Sequence, residues 1–184
     1  MTPRHLAEED VVRRDGVLVT TPLRTALDLA RIEPPDEAVV CLDQFLRSRL
    51  VTPADPRAAA TATTGPGCRA IRLAAARADG LAQSPQQTRL RLMLHRGLPA
   101  GARRELASGG GREVLSFGWP ERKVAVEYES VWHGEAQQVG KDRRRLNRPT
   151  AAGWTVIFAT AADLRDPVAL VARIAAALNA PRYA

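Results

Sequence analysis

Apolar residues recur at helical spacing through the first half of the chain. Leu23, Ala26, Leu27 and Ala30 follow Thr21-Pro22, where threonine can cap a helix and proline suits its first turn. Pro34-Pro35 interrupts the pattern, and Ala38, Val39, Leu42, Phe45 and Leu46 mark a second amphipathic helix. Pro53 to Thr61 and Cys68 to Ala78 read as two shorter helices, separated by the turn residues Thr64-Gly65-Pro66-Gly67. Residues 1–82 are therefore expected to form a helical N-terminal region without catalytic character.

A different pattern begins at Ser84-Pro85. Ser84 is placed to cap a helix that lines up Leu90, Met93 and Leu94 on one side and ends near Gly97. Arg103 to Ala107 reads as a strand, with Ser108-Gly109-Gly110-Gly111 as a hairpin turn. Glu113 to Trp119 and Lys123 to Glu129 read as two more strands, joined across Pro120. A charged helix is expected from about Glu135 to Arg148. Trp154 to Thr160 is an apolar strand whose continuous run predicts burial on both faces, and Pro167 to Leu178 is a final amphipathic helix. Residues 83–184 thus alternate helix and strand in the manner of an α/β layer structure.

The 184 residues suffice for one domain with an appendage or for two small domains. The formal net charge is +7, supplied almost wholly by arginine. Such a surface favours a phosphate-rich partner or an anionic membrane surface, although an Arg- and Ala-rich chain from a GC-rich genome is basic too. No apolar run reaches the roughly eighteen residues of a membrane span, and the charged segment Met1 to Arg14 lacks the apolar stretch of a signal peptide. Cys41 and Cys68 are isolated and read as buried thiols in a reducing compartment. The expected location is the cytoplasm.

The strand Lys123 to Glu129 carries the first candidate chemistry. Alternation puts Val124, Val126 and Tyr128 on one face, and Ala125, Glu127 and Glu129 on the other. Two carboxylates roughly 7 Å apart at their Cα atoms repel unless solvated or bridged by a cation. Hard oxygen ligands on a rigid strand are what Mg²⁺ needs for phosphodiester hydrolysis; a solvated acidic edge strand has the same spacing. His133 follows four residues after Glu129. In the charged helix, Gln138, Asp142 and Arg145 share a face, and Lys141, Arg143, Arg144, Arg145 and Arg148 crowd one segment. Such a run beside a carboxylate pair suits a polyanion, while an ordinary solvated face, with Asp142 paired to Arg145, accounts for the charges as well.

The ordered signature is Val124-Ala125-Val126-Glu127-Tyr128-Glu129, His133, Asp142, Arg145-Leu146, Gly153-Trp154-Thr155-Val156 and Ala162-Asp163-Leu164. It resembles an actinobacterial endonuclease-like family related to very-short-patch-repair endonucleases, within the PD-(D/E)XK superfamily. The resemblance runs from about Ser84 to Leu178, and the helical segment from Val19 to Arg31 is similar to the middle region of such proteins. Longer members begin with a winged-helix unit, of which this sequence shows no sign. The resemblance implies a restriction-endonuclease-like central mixed sheet flanked by helices, preceded here by the small helical region. It also implies a DNA-cleaving site in which Glu127 and Glu129 match metal-ligand positions, His133 the histidine after them, and Asp142 with Arg145 the polar pair of the following helix. The charge pattern itself adds the expectation of His133 as base or phosphate contact, Gln138 and Asp142 as polar support, and Lys141, Arg145 and Arg148 on DNA phosphates.

Two departures bear on that site. Members carry an Asp on the preceding strand, where this chain has Ser116, and a Glu in the early helix, where it has Gln87. Both changes remove negative charge from the expected cation site, so Mg²⁺ is expected to bind weakly. Pro149 lacks an N–H and should end or kink the charged helix early. Three functions remain open: a metal-dependent endonuclease, a DNA-binding member that does not cut, and a protein-interaction module that assembles with itself or a partner through the N-terminal helices.

Overall fold

The computed structural model describes residues 6–98, 103–107, 114–129 and 153–181, with the backbone alone for 103–107 and 114–116. They divide into two compact units, Met1–Thr88 and Arg89–Ala184.

Unit one opens with a β-hairpin rather than with helix. Val11–Arg14 (β1) and Val17–Thr20 (β2) pair antiparallel around Asp15-Gly16. Both turn residues have positive φ, 49° and 82°, as a tight two-residue hairpin turn requires. The helical reading of the N-terminal region is corrected here. The charged residues of Val11 to Arg14 conceal a strand, whereas the Asp-Gly dipeptide between two β-branched runs is a hairpin signal.

Four helices follow: Pro22–Ile32 (α1), Pro35–Arg47 (α2), Ala54–Ala62 (α3) and Cys68–Arg77 (α4). The Thr21 hydroxyl accepts the Arg24 N–H at 3.2 Å, and proline occupies the first turn of both α1 and α2. Ala26 and Ala30 of α1, Val39 and Leu42 of α2, and Ile71 and Ala74 of α4 are buried together as the core of the bundle. Small alanines at these contacts let the helices approach closely. Arg24 ties the residue leading into β1 to α1 by donating to Asp10 at 2.6 Å, and it pairs within α1 with Asp28 at 2.8 Å. Cys41 and Cys68 form no disulfide and are partly exposed, so the expectation of burial is corrected.

The helix Pro85–Gly97 (α5) begins in unit one and continues into unit two. In unit two, Arg103–Ala107 (β3), Val114–Trp119 (β4), Val124–Tyr128 (β5) and Thr155–Ala159 (β6) form a four-stranded sheet in that order. The first two pairings are antiparallel and β5–β6 is parallel, so the sheet is mixed. A 3₁₀ turn at Pro120–Arg122 connects β4 to β5, and Lys123 leaves it with positive φ. Ala161–Arg165 (α6) and Pro167–Asn179 (α7) close the chain.

Leu170, Ile174 and Leu178 lie one turn apart on α7 and are buried with Leu90, Met93 and Leu94 of α5 against Phe117, Trp119, Val124 and Val126 of the sheet. This α/β layer is the architecture expected for the second half of the chain. The expectation that β6 is buried on both faces is corrected. Only Ala159 is buried, Thr155 is exposed, and Val156, Ile157 and Phe158 are half-buried. Among the described residues β6 lies at the sheet's edge, which accounts for its partial exposure.

Candidate functional site

The acidic strand β5 is interior to the sheet, between β4 and β6. Val124 and Val126 face the helical core, as alternation predicts. Glu127 takes the opposite face with Ala125 and retains only 9% of its exposure. Its neighbour in register on β6 is Phe158. A carboxylate so desolvated on a central strand needs polar or cationic company, and Glu127 has polar interactions in the fold. Glu129 is exposed just past the end of β5, where its N–H donates to the Ala159 carbonyl at 2.8 Å and extends the parallel ladder. The two carboxylates therefore occupy different environments, one buried in the sheet and one at its rim.

Phe117 pairs with Val126 across β4 and β5. One further step of the same register sets the Ser116 backbone opposite Glu127. Ser116 is thus the register neighbour of Glu127 on β4. Gln87 lies in the first turn of α5 within unit one. Its side-chain carbonyl accepts the Gln83 N–H at 2.6 Å, and its own N–H donates to the Ser84 hydroxyl at 3.3 Å. The second bond makes Ser84 the cap of α5, and the first gives Gln87 a structural use. His133, Gln138, Lys141, Asp142, Arg145 and Arg148 lie outside the described residues, as do the charged helix, Pro149 and the Ser108–Gly111 turn.

No group of three or more His, Cys, Asp or Glu side chains able to hold a metal occurs among the described residues.

Where β6 ends, Thr160 and Asp163 build a reciprocal cap on α6. The Thr160 N–H and hydroxyl donate to Asp163 Oδ2 at 2.8 and 2.7 Å, and the Asp163 N–H returns to the hydroxyl at 3.3 Å. Arg173 of α7 donates to Asp163 Oδ1 at 2.7 Å. The Thr160 hydroxyl, foremost, and the Arg173 charge hold the Asp163 carboxyl below its ordinary value of 3.8. A carboxylate held low contributes stability that is present above the unfolded value and lost as pH falls through the folded one. Asp163→Asn should therefore flatten the acid limb of a stability-versus-pH curve below about pH 4. An unchanged acid limb would mean that the cap does not stabilise the ionised form.

Sequence reasoning misses a buried carboxylate in unit one. Asp43 is wholly inaccessible on the inner face of α2, near Val39 and Leu46. It accepts the Asp79 and Gly80 N–H groups at 2.8 and 3.0 Å on one oxygen and the Thr88 hydroxyl at 2.7 Å on the other. The available signal is an aspartate one turn after Val39 on an otherwise apolar helix face. These bonds tie α2 to the 79–80 loop and to α5, which makes Asp43 a structural staple.

No family model matches the chain, and no solved structure does. Among curated proteins, the chain is 34% identical over 178 residues to uncharacterised protein MT2308 of Mycobacterium tuberculosis strain CDC 1551 / Oshkosh. The same identity over the same length relates it to uncharacterised protein Rv2248 of strain ATCC 25618 / H37Rv. The match covers 94% of this chain but 66% of each relative. This chain is thus similar along nearly all of its length to two longer mycobacterial proteins.

Proposed function

We propose that the chain is a DNA-directed protein whose second unit is a restriction-endonuclease-like domain with an incomplete metal site. The observation that carries this reading is the partition of charge. Residues 1–88 contain eleven Lys or Arg and eleven Asp or Glu; residues 89–184 contain sixteen and nine. The entire excess of +7 therefore belongs to unit two. A basic chain composed only by codon bias would spread its excess over both units. Concentration in the unit that holds the mixed sheet and the desolvated Glu127 supports a polyanion as its partner.

Strand order and the buried acid support the restriction-endonuclease-like reading, with Glu127 in the position of a metal ligand. The Ser116 register position supports a site that has lost one carboxylate. On this reading the protein grips duplex phosphates with unit two and cuts poorly. Mg²⁺, if engaged through Glu127 and Glu129, is held weakly.

Substitutions in the two units discriminate. Arg145→Ala with Arg148→Ala should weaken duplex binding for all sequences. The slope of log affinity against log salt should flatten by about 0.9 for each phosphate that is no longer neutralised. Arg57→Ala with Arg69→Ala, on exposed positions of α3 and α4, should leave affinity and slope unchanged. Equal losses from both pairs would contradict a polyanion site confined to unit two.

A further inference from the structure

We propose that the turn between β4 and β5 is a phosphate-contacting surface of unit two, in which Arg122 and Lys123 grip the DNA backbone. The proposal rests on the DNA-directed reading above and adds a contact separate from Lys141, Arg145 and Arg148. Glu121, Arg122 and Lys123 are all exposed, so the turn presents two consecutive cations and one acid to solvent. Elsewhere among the described residues of unit two, Arg91 is buried and Arg173 is committed to Asp163. Arg96 and Arg165 are single exposed cations on separate helices.

Strand register brings further positive charge to the same end of the sheet. The last row before the turn is Trp119, Val124 and Thr155, and the next is Arg103, Gly118, Ala125 and Val156. Arg104 belongs to the row after that, with Phe117, Val126 and Ile157. Glu105 follows one row further on, in that of Glu127, so the cations of β3 lie nearer the turn than its acid does. Concentrated positive charge at a sheet end fits the closely spaced phosphates of a duplex.

The turn also holds its cations on a fixed backbone. The Lys123 N–H donates to the Pro120 carbonyl at 3.1 Å, and the Lys123 carbonyl accepts the Thr155 N–H at 2.8 Å. A Cβ built on Gly153 would lie 3.5 Å from Lys123 Nζ, which puts the ammonium beside the entry to β6. Contacts made from such a backbone need little further ordering on binding. Glu129 lies at the other end of β5, six residues on and about 20 Å away at strand rise. A duplex covers that distance in about six base pairs, so one duplex lying along the strands can reach both ends.

The test is binding of the full chain to random-sequence duplex DNA over a salt series in EDTA. Arg122→Gln with Lys123→Gln should flatten the slope of log affinity against log salt by about 0.9 for each lost contact. Arg122→Lys with Lys123→Arg keeps both charges and should keep the wild-type slope. Arg57→Gln with Arg69→Gln removes the same charge from exposed positions in unit one and should leave the slope alone. Circular dichroism should show all three double variants folded. Three results would overturn the proposal: an unchanged slope in the Arg122 and Lys123 glutamine variant, equal flattening by the unit-one pair, or equal flattening by the charge-keeping pair. A wild type that does not bind DNA would sink the DNA-directed reading and this surface together. A wild type that binds, beside a glutamine variant of unchanged slope, would remove this surface alone.

Discussion

Asp43→Ala should destabilise the folded chain by about 3–5 kcal/mol, read as a drop in the urea midpoint of unfolding. The carboxylate is fully buried and receives two backbone N–H groups and one hydroxyl. Alanine leaves the buried Thr88 hydroxyl and the part-buried Asp79 and Gly80 N–H groups without this acceptor, and a fully buried group so left costs about 1–3 kcal/mol. Against a typical total of about 5–15 kcal/mol, such a loss is large. Asp43→Asn keeps one carbonyl oxygen and should cost less, since only the oxygen facing Thr88 is exchanged for an amide. Thr88→Val should cost least, because it removes a single donor. Gly80, one of the donors, has φ of +66°, and a Cβ built there would lie 2.5 Å from Leu46 Cβ. A side chain at residue 80 would push the donor loop off Asp43. If Asp43→Ala matched Thr88→Val in stability, the N–H groups would not depend on the carboxylate.

The second large effect concerns metal. Ser116→Asp should raise Mn²⁺ and Mg²⁺ affinity on the order of tenfold or more, because a cross-strand carboxylate offsets cation charge and adds an oxygen ligand. The register step from Phe117 opposite Val126 brings residue 116 to Glu127, which makes this the position to change. Glu127→Ala in the Ser116→Asp background should cancel the gain. Nicking of supercoiled plasmid should follow the same order, with the restored variant above both the wild type and the double variant. Gln87 is a poorer position for restoration, because its side chain is already committed to the Gln83 N–H. Strong metal binding and cutting by the wild type would show that two carboxylates suffice. No gain in the restored variant would remove Glu127 from any metal site.

Much of the architecture is legible in the sequence. The helices α1, α2, α5 and α7 follow from apolar spacing and proline-led starts, and β4 to β6 from short apolar runs with β-branched residues; β3, Arg-Arg-Glu-Leu-Ala, is marked mainly by the turn residues after it. The hairpin β1–β2 is harder to see because its flanking charges resemble a solvated tail, although Asp15-Gly16 encodes the turn. The burial of β6 is overestimated for a different reason. A continuous apolar run gives local hydrophobicity but not strand order, and an edge strand can carry the same run half-covered. Site legibility is similarly divided. Alternation places Glu127 opposite the core-facing valines, but it does not distinguish the burial of Glu127 from that of Glu129, which depends on which strands flank β5. Asp43 is invisible because its three partners lie 36 to 45 residues away in sequence.

The charge partition bears directly on the proposed DNA-directed role, since the whole excess of +7 lies in unit two. The most direct test of the basic unit is the affinity of the wild-type protein for duplex DNA, measured in EDTA across a salt series. A protein that holds several phosphates should bind at low salt without a divalent metal. Its log affinity should fall linearly with log salt, at about 0.9 per phosphate neutralised. No binding at low salt, or binding indifferent to salt, would contradict a DNA-directed second unit.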